Sequence, residues 1–204
     1  MALPQRHPHS PSPSRASVIG RQRAGQLAPV DTAKALEAAR ACPDARYRVQ
    51  ALASVAEHAE PRLLAQLLEE AAREAQSCHD AFGKVAVMAW PLRAAFRRRQ
   101  TAFAERAVKS CLALAGGIEP LASRAYALEA LWRCCFEANA GLAELVWQRI
   151  LQLCHPDRSW RAARLYLHVA EASERRNPGA AAAVVRAMAP GKARGWLEWR
   201  FGLA

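Results

Sequence analysis

The sequence predicts an all-α protein, an α-solenoid of about four helix-hairpin repeats. Three observations support this prediction. Alanine and leucine dominate the composition, and both residues favour helix. Valine and isoleucine are sparse, and the polar–apolar alternation that is typical of strands is almost absent. From Asp31 onward, apolar residues recur at steps of three and four, which places them on one face of each predicted helix.

The first 30 residues are predicted to form a separate basic tail. They include four arginines and the run HSPSPS, with no acidic residue before Asp31. A segment of this composition cannot bury enough apolar surface to fold, so we expect disorder. It contains no apolar core of signal-peptide length, which favours a cytoplasmic location. Its composition is also similar to that of organelle transit peptides and bacterial secretion signals, so organelle targeting or secretion as an effector stays open.

Four later segments share one pattern. Each begins with a residue that opens or caps a helix, places a basic residue four positions later, and continues with apolar residues at helical spacing. The basic residues are separated by 36, 40 and 37 positions. The opening residues are Asp44, Asp80, Pro120 and Asp157, and the basic residues are Arg48, Lys84, Arg124 and Arg161.

Each of these helices is predicted to pair with another helix. One helix of a pair cannot bury its apolar face alone, whereas stacked pairs bury a continuous core. We therefore assign residues 31–190 to a repeat domain and residues 191–204, with Trp196 and Trp199, to a C-terminal cap. The predicted partner helices cover residues 61–76, 101–114, 141–154 and 178–188, and a half-unit at 31–41 precedes the first pair.

The stretch from Asp44 to Leu52 resembles the HEAT repeat, in which an aspartate opens the second helix of each pair and a Val-Arg couple follows. In this chain the basic residue precedes the valine, at Arg48-Val49, and the third and fourth segments have alanine in its place. The resemblance covers about residues 31–190. It implies stacked helix pairs, a scaffold function, and a concave face lined by the second helices. The tetratricopeptide and pentatricopeptide families share this helix-pair arrangement.

The charge of the chain predicts an acidic partner. The 29 Lys and Arg residues exceed the 18 Asp and Glu residues, giving a formal charge of +11. Such a balance suits an acidic protein face, nucleic acid or an anionic membrane, although an Arg- and Ala-rich composition is also typical of a GC-rich genome. Beyond the recurring basic residues, two clusters are candidates for partner binding: Arg93, Arg97, Arg98 and Arg99, and then Arg158, Arg161 and Arg164.

Each basic group has two interpretations. The recurring residues form either a structural ladder between units or a stripe that faces a ligand. The two clusters are either solvated turns or contacts to phosphate or an acidic peptide. Trp160, beside the second cluster, suits inter-repeat packing better than base stacking.

We expect no catalytic residues, cofactor or metal. The chain lacks a phosphate-binding glycine loop, a nucleophile elbow and a paired-histidine zinc helix. Two Cys-His pairs, Cys78-His79 and Cys154-His155, fall two units apart, about 20 Å in stacked helices, which is too far for one zinc ion. The six cysteines are predicted to be reduced. No apolar run approaches the roughly 20 residues that a membrane span needs.

These observations predict a non-enzymatic adaptor that binds an acidic protein or peptide. The alternative is a basic nucleic-acid-binding repeat protein, either an organelle RNA binder or a DNA binder similar to the HEAT-like alkylpurine glycosylases. Those glycosylases use a carboxylate beside tryptophans, and we assign none in this sequence. A continuous positive groove would favour nucleic acid, and a groove of mixed charge would favour a protein partner.

Overall fold

The computed structural model describes residues 14–155 and 159–203. Over these ranges all regular secondary structure is helical and no strand occurs, which confirms the all-α prediction. The chain divides into two compact units, one up to residue 107 and one from residue 108. Among the described helices, none has the combination of length and hydropathy that crossing a bilayer requires.

The first unit is organised around one central helix, α3, against which α1, α2, α4 and α6 pack. The core side chains Val49, Leu52, Leu67, Leu68 and Leu92 are fully buried. The helices of this unit are α1 (Arg15–Leu27), α2 (Thr32–Arg40), α3 (Ala45–His58), α4 (Pro61–Gln76), α5 (Ala81–Val87) and α6 (Ala89–Arg97).

Aspartate caps begin three of these helices, and those at Asp44 and Asp80 were predicted. The carboxylate of Asp31 accepts a hydrogen bond from the backbone N–H of Lys34, at 3.0 Å. Asp44 accepts from Arg46 at 2.8 Å, and Asp80 accepts from Gly83 at 2.6 Å. Each bond satisfies a backbone donor that the first helical turn leaves without an intrahelical partner.

The segment after Asp80 differs from the prediction, because two helices replace one. Helix α5 ends at Val87, and Met88 joins it to α6. Pro91 explains the interruption, since it has no N–H to donate to the carbonyl of residue 87. In the observed arrangement Pro91 lies in the first turn of α6, where proline is tolerated.

The predicted disorder of residues 1–30 is wrong for the part that the structure describes. Residues 15–27 form α1, which packs against α2 and α3. Ser14 caps the helix, and Ala24 is fully buried. Ser17 is also buried, and its Oγ accepts a hydrogen bond from the backbone N–H of Asp44 at 3.1 Å. Small side chains allow close packing without a large apolar stripe, and the prediction relied on such a stripe. Residues 1–13 lie outside the described part.

Helix α7 (Thr101–Ala115) contains the boundary between the two units. In the second unit, α8 packs against α9 and α10, and α10 also packs against α11 and α12. Leu128, Leu131, Ile150 and Leu165 form part of a fully buried core. The remaining helices are α8 (Leu121–Phe136), α9 (Ala140–Cys154), α10 (Trp160–Arg176), α11 (Ala181–Arg186) and α12 (Lys192–Arg200).

The predicted partner helices correspond to α4, α7, α9 and α11, although α11 is shorter than expected. The predicted opening residue Asp157 lies outside the described residues. The N-cap of α10 is Ser159, whose Oγ accepts from the N–H of Ala162 at 3.2 Å. At the C-terminus, α12 packs through the fully buried Leu197. The tryptophans expected to form this cap are exposed instead, by 48% at Trp196 and 73% at Trp199.

Candidate partner-binding site

The recurring basic residue has the same local role in two of the four segments. Arg48, in α3, donates from Nη1 to the carbonyl oxygen of Cys42 at 2.5 Å. Arg124, in α8, donates from Nε to the carbonyl oxygen of Ile118 at 3.1 Å. In both cases the acceptor lies six residues earlier, in the loop that enters the helix. The arginine therefore fixes that loop against its own helix.

Arg124 makes three further contacts that leave it no access to a partner. Its Nη2 donates to the carbonyl of Gly116 at 2.9 Å and to the carboxylate of Glu119 at 3.0 Å. Its Nη1 reaches the carbonyl of Leu153 near the end of α9, at 3.3 Å. Only 10% of the side chain is exposed. At Arg124 these contacts favour the structural-ladder interpretation over a stripe that faces a ligand.

The other three recurring residues differ from Arg124 in exposure. Arg48 is 23% exposed and forms an ion pair of 2.8 Å with Glu74, which ties α3 to α4. Lys84 is half-buried in α5. Arg161 is half-buried near the start of α10, with its guanidinium 5.5 Å from the centre of the Trp160 ring.

The first arginine cluster is neutralised by a carboxylate of a neighbouring helix. Glu57, near the end of α3, accepts from Arg97 at 2.6 Å and pairs with Arg93 at 3.4 Å. Its side chain is only 15% exposed. The guanidinium of Arg93 also stacks over the Trp90 ring, 4.5 Å from its centre. These contacts connect α6 to α3 and reduce the positive charge that the cluster presents.

Arg98 and Arg99, the last two arginines of this cluster, lie at the ends of helices. Arg98 donates to the carbonyl oxygens of Ala56 and Glu57, at 3.3 and 2.9 Å, at the end of α3. Arg99 has the left-handed backbone conformation that ends α6, with φ of 56°. The N–H of Gln100 then reaches back to the carbonyl of Ala95 at 2.8 Å, as in a Schellman motif. Arg99 is exposed, whereas Arg98 is half-buried.

The second arginine cluster lies beside exposed aromatic rings. The guanidinium of Arg164, one turn into α10, is 5.1 Å from the centre of the Trp160 ring and 5.7 Å from that of Tyr126 on α8. Trp160 is 61% exposed and Tyr126 is 44% exposed. Arg161 adds a second guanidinium against Trp160. We call Tyr126, Trp160, Arg161 and Arg164 the α8–α10 patch. Arg158, the remaining predicted member, lies outside the described residues.

A buried carboxylate lies beneath the α8–α10 patch. Glu129, on α8, is 5% exposed and lies 2.6 Å from Nδ1 of His168. Its other ion-pair partners are Arg164 at 3.6 Å and Arg133 at 3.8 Å. In the described part of the chain, Oε2 of Glu129 and Nε of Arg164 are buried without a hydrogen bond. Glu129 thus forms an ion pair with the guanidinium of Arg164, while 35% of the Arg164 side chain stays exposed.

Sequence reasoning missed Tyr126, Glu129 and His168. Glu129 and His168 are 39 positions apart, and no local spacing connects them. Glu129 is the buried carboxylate of this group. Its burial and its pairing with cations make it a positioning group for Arg164 and His168, because a ligand cannot reach it from solvent.

The cysteines and the remaining polar groups do not form a metal centre in the described residues, where no three His, Cys, Asp or Glu side chains are grouped suitably. Burial raises the pKa of the Cys111 and Cys135 thiols to about 12, so both stay protonated near neutral pH. Burial also raises the pKa of the Cys42 and Cys78 thiols. These four thiols are therefore poor nucleophiles and poor metal ligands.

Comparison of the chain with protein-family models, with curated proteins and with solved structures gave no match. The case for a function therefore rests on the geometry of the α8–α10 patch.

Proposed function

We propose that this protein is a non-enzymatic adaptor that binds an acidic protein or peptide through the α8–α10 patch. In this proposal the helix pairs form an α-solenoid of about four HEAT-like repeats, and the second helix of each pair lines the binding face. The packing of α3 on α6 and of α8 on α10 supports this arrangement within each unit, since neighbouring second helices contact one another.

The single observation that carries the proposal is the coincidence of exposed aromatic rings and arginine on adjacent helices. Trp160 and Tyr126 flank Arg164, and all three side chains keep a substantial exposed fraction. Trp, Tyr and Arg are the residues most enriched among those that dominate protein–protein binding energy. An exposed aromatic group of this kind on a folded domain is typical of an interaction site.

The charge distribution favours a protein partner over nucleic acid. Many arginines are paired with carboxylates: Arg40 with Glu70, Arg97 with Glu57, and the three further pairs Arg48–Glu74, Arg106–Glu69 and Arg200–Glu171. Paired cations contribute less to a phosphate-binding stripe, so the formal +11 overstates the free positive charge. The surface around the first cluster, where Glu57 pairs with Arg93 and Arg97, is accordingly mixed in sign.

Single-stranded nucleic acid is the second candidate, and one observation favours it. A base can stack on an exposed aromatic ring while a nearby arginine binds phosphate, and Trp160 with Arg161 and Arg164 offers that combination. The second candidate predicts binding that weakens steeply with salt and that nuclease abolishes.

Affinity capture from lysate of the source cells, with and without nuclease, tests the proposal. The bait is the full chain, and the binding-site variant is Tyr126→Ala/Trp160→Ala. The matched control is Trp196→Ala/Trp199→Ala, which removes aromatic rings of similar exposure from α12. We expect one acidic protein to be captured by the wild type and the control, to persist after nuclease, and to be lost with the binding-site variant. Loss of all binding on nuclease treatment would contradict the proposal and support the second candidate.

A further inference from the structure

A cleft lies beside Trp160, between the start of α10 and the connection from α11 to α12. It has a volume of about 610 Å³. Its apolar wall includes Trp160, Ala163, Met188 and Pro190. Trp160, in α10, thus belongs both to the α8–α10 patch and to this cleft.

The polar lining of the cleft is entirely basic or neutral in the described part of the chain. His155, Lys192 and Arg194 line it, and no carboxylate does so. Arg194 is committed to its own helix, since its Nε donates to Glu198 at 2.8 Å. Lys192 is exposed, and within the described residues no acidic side chain pairs with it.

The basic residues around this cleft differ from the other basic groups of the protein in how they are paired with carboxylates. Arg93 and Arg97 share Glu57, and Arg106 pairs with Glu69. Around Trp160, by comparison, Arg161 stacks on the ring and Lys192 faces solvent. Among the described residues, positive charge without a carboxylate partner and accessible apolar surface therefore occur together there. A ligand that suits both carries an apolar group next to a carboxylate.

We propose that the cleft receives an apolar side chain of an acidic peptide, with the neighbouring peptide carboxylates held by Lys192 and Arg161. The inference rests on the proposed adaptor function and names the chemistry of its partner. The aromatic ring of Trp160 packs against the inserted side chain, and Met188 forms part of the wall. One neighbouring carboxylate then binds Lys192 in the cleft lining, and the other binds Arg161, whose guanidinium lies 5.5 Å from the centre of the Trp160 ring.

Three matched peptides test this inference by NMR on the full chain. The first is acetyl-Glu-Glu-Phe-Glu-Glu-amide; the second replaces each Glu by Gln, and the third replaces Phe by Ala. The indole N–H signal of Trp160, assigned from its absence in Trp160→Phe, reports binding. We expect the first peptide to shift this signal until it saturates. The other two should bind at least about fivefold more weakly, because the second lacks the carboxylates and the third lacks the apolar side chain.

Two protein variants then locate the binding site. Lys192→Glu should weaken the first peptide about fivefold or more, because it replaces an attraction by a repulsion. Lys109→Glu makes the same change of charge at an exposed position of α7 that does not line the cleft. Because salt screens charges that far from the ligand, this variant should change the peptide affinity by no more than about twofold. Ala163→Trp, which places a large ring into the cleft, should also reduce binding while circular dichroism stays helical.

The outcomes separate this inference from the proposed function. Equal binding of the Phe and Ala peptides, or equal effects of Lys192→Glu and Lys109→Glu, would overturn the cleft assignment. If a captured native partner still requires Tyr126 and Trp160 in that case, the adaptor proposal stands alone. If the peptides behave as expected but no captured protein depends on Trp160, the adaptor proposal fails and the cleft remains a site for acidic apolar peptides.

Discussion

The Nε of Arg124 donates a hydrogen bond of 3.1 Å to the carbonyl oxygen of Ile118, six residues earlier in the chain. This contact, with three others from the same guanidinium, holds the loop before α8 and the end of α9. A nearly buried arginine that satisfies backbone carbonyls serves the fold, because its donors are consumed inside the protein. The recurring basic residue therefore has a structural explanation at this position.

Replacing Arg124 by methionine should destabilise the protein by about 2–4 kcal/mol, because several backbone acceptors lose a charged donor while largely buried. Arg48→Met should cost less, since Arg48 is more exposed. The control is Arg106→Met, which removes the ion pair between Glu69 and the 64% exposed side chain of Arg106. It should lower the free energy of unfolding by no more than about 0.5 kcal/mol. Urea unfolding measures all three, and equal effects of Arg124→Met and Arg106→Met would refute the structural role.

The docking of α1 predicts opposite effects for its two glycines. A Cβ added at Gly20 would lie 2.8 Å from Sγ of Cys42, whereas none of the described atoms lies within 4 Å of a Cβ added at Gly25. Gly25→Ala should stabilise the protein by about 0.5–1 kcal/mol through helix propensity. Gly20→Ala should instead lower the melting temperature, because the buried Cys42 must move. A gain in stability for both variants would show that α1 does not dock as described.

The buried thiols predict a loss of stability at alkaline pH. The pKa of Cys111 and Cys135 is about 12 in the folded chain, above the ordinary value of 9.0. Above pH 9 the unfolded chain therefore releases protons that the folded chain keeps, and folding stability falls by up to about 1.4 kcal/mol per thiol for each pH unit. Cys111→Ala/Cys135→Ala should flatten the decline between pH 9 and 11 in urea unfolding. An unchanged slope would indicate that these thiols do not contribute.

Helix positions were predictable because they depend on local pattern. The partner helices α4, α7 and α9 and the caps at Asp44 and Asp80 follow from helical spacing and side-chain capping. The docking of α1 was not predictable in this way. Its buried residues, Ser17 and Ala24, are small, and their burial depends on how closely α3 approaches. The break at Met88 follows from Pro91, which is not one of the residues that define the repeated pattern.

The binding site was harder to predict because it depends on contacts between distant residues. Trp160 and Arg164 lie four apart, so their proximity was visible in the sequence, but the exposure of the Trp160 ring was not. The approach of Tyr126 and Glu129 from α8 results from helix packing, which repeat spacing alone does not define. The recurring basic residues were conspicuous in the sequence, yet two of the four are engaged in internal contacts.

Site-specific photo-crosslinking in the source cells tests the adaptor account most directly. Benzoylphenylalanine replaces Trp160 in one variant and Trp199, which is 73% exposed, in the other. We predict a crosslinked acidic protein from position 160 that resists nuclease and is lost when Arg164→Glu is added, with little or no such product from position 199. A nucleic-acid adduct at position 160, or equal protein adducts from both positions, would contradict the account.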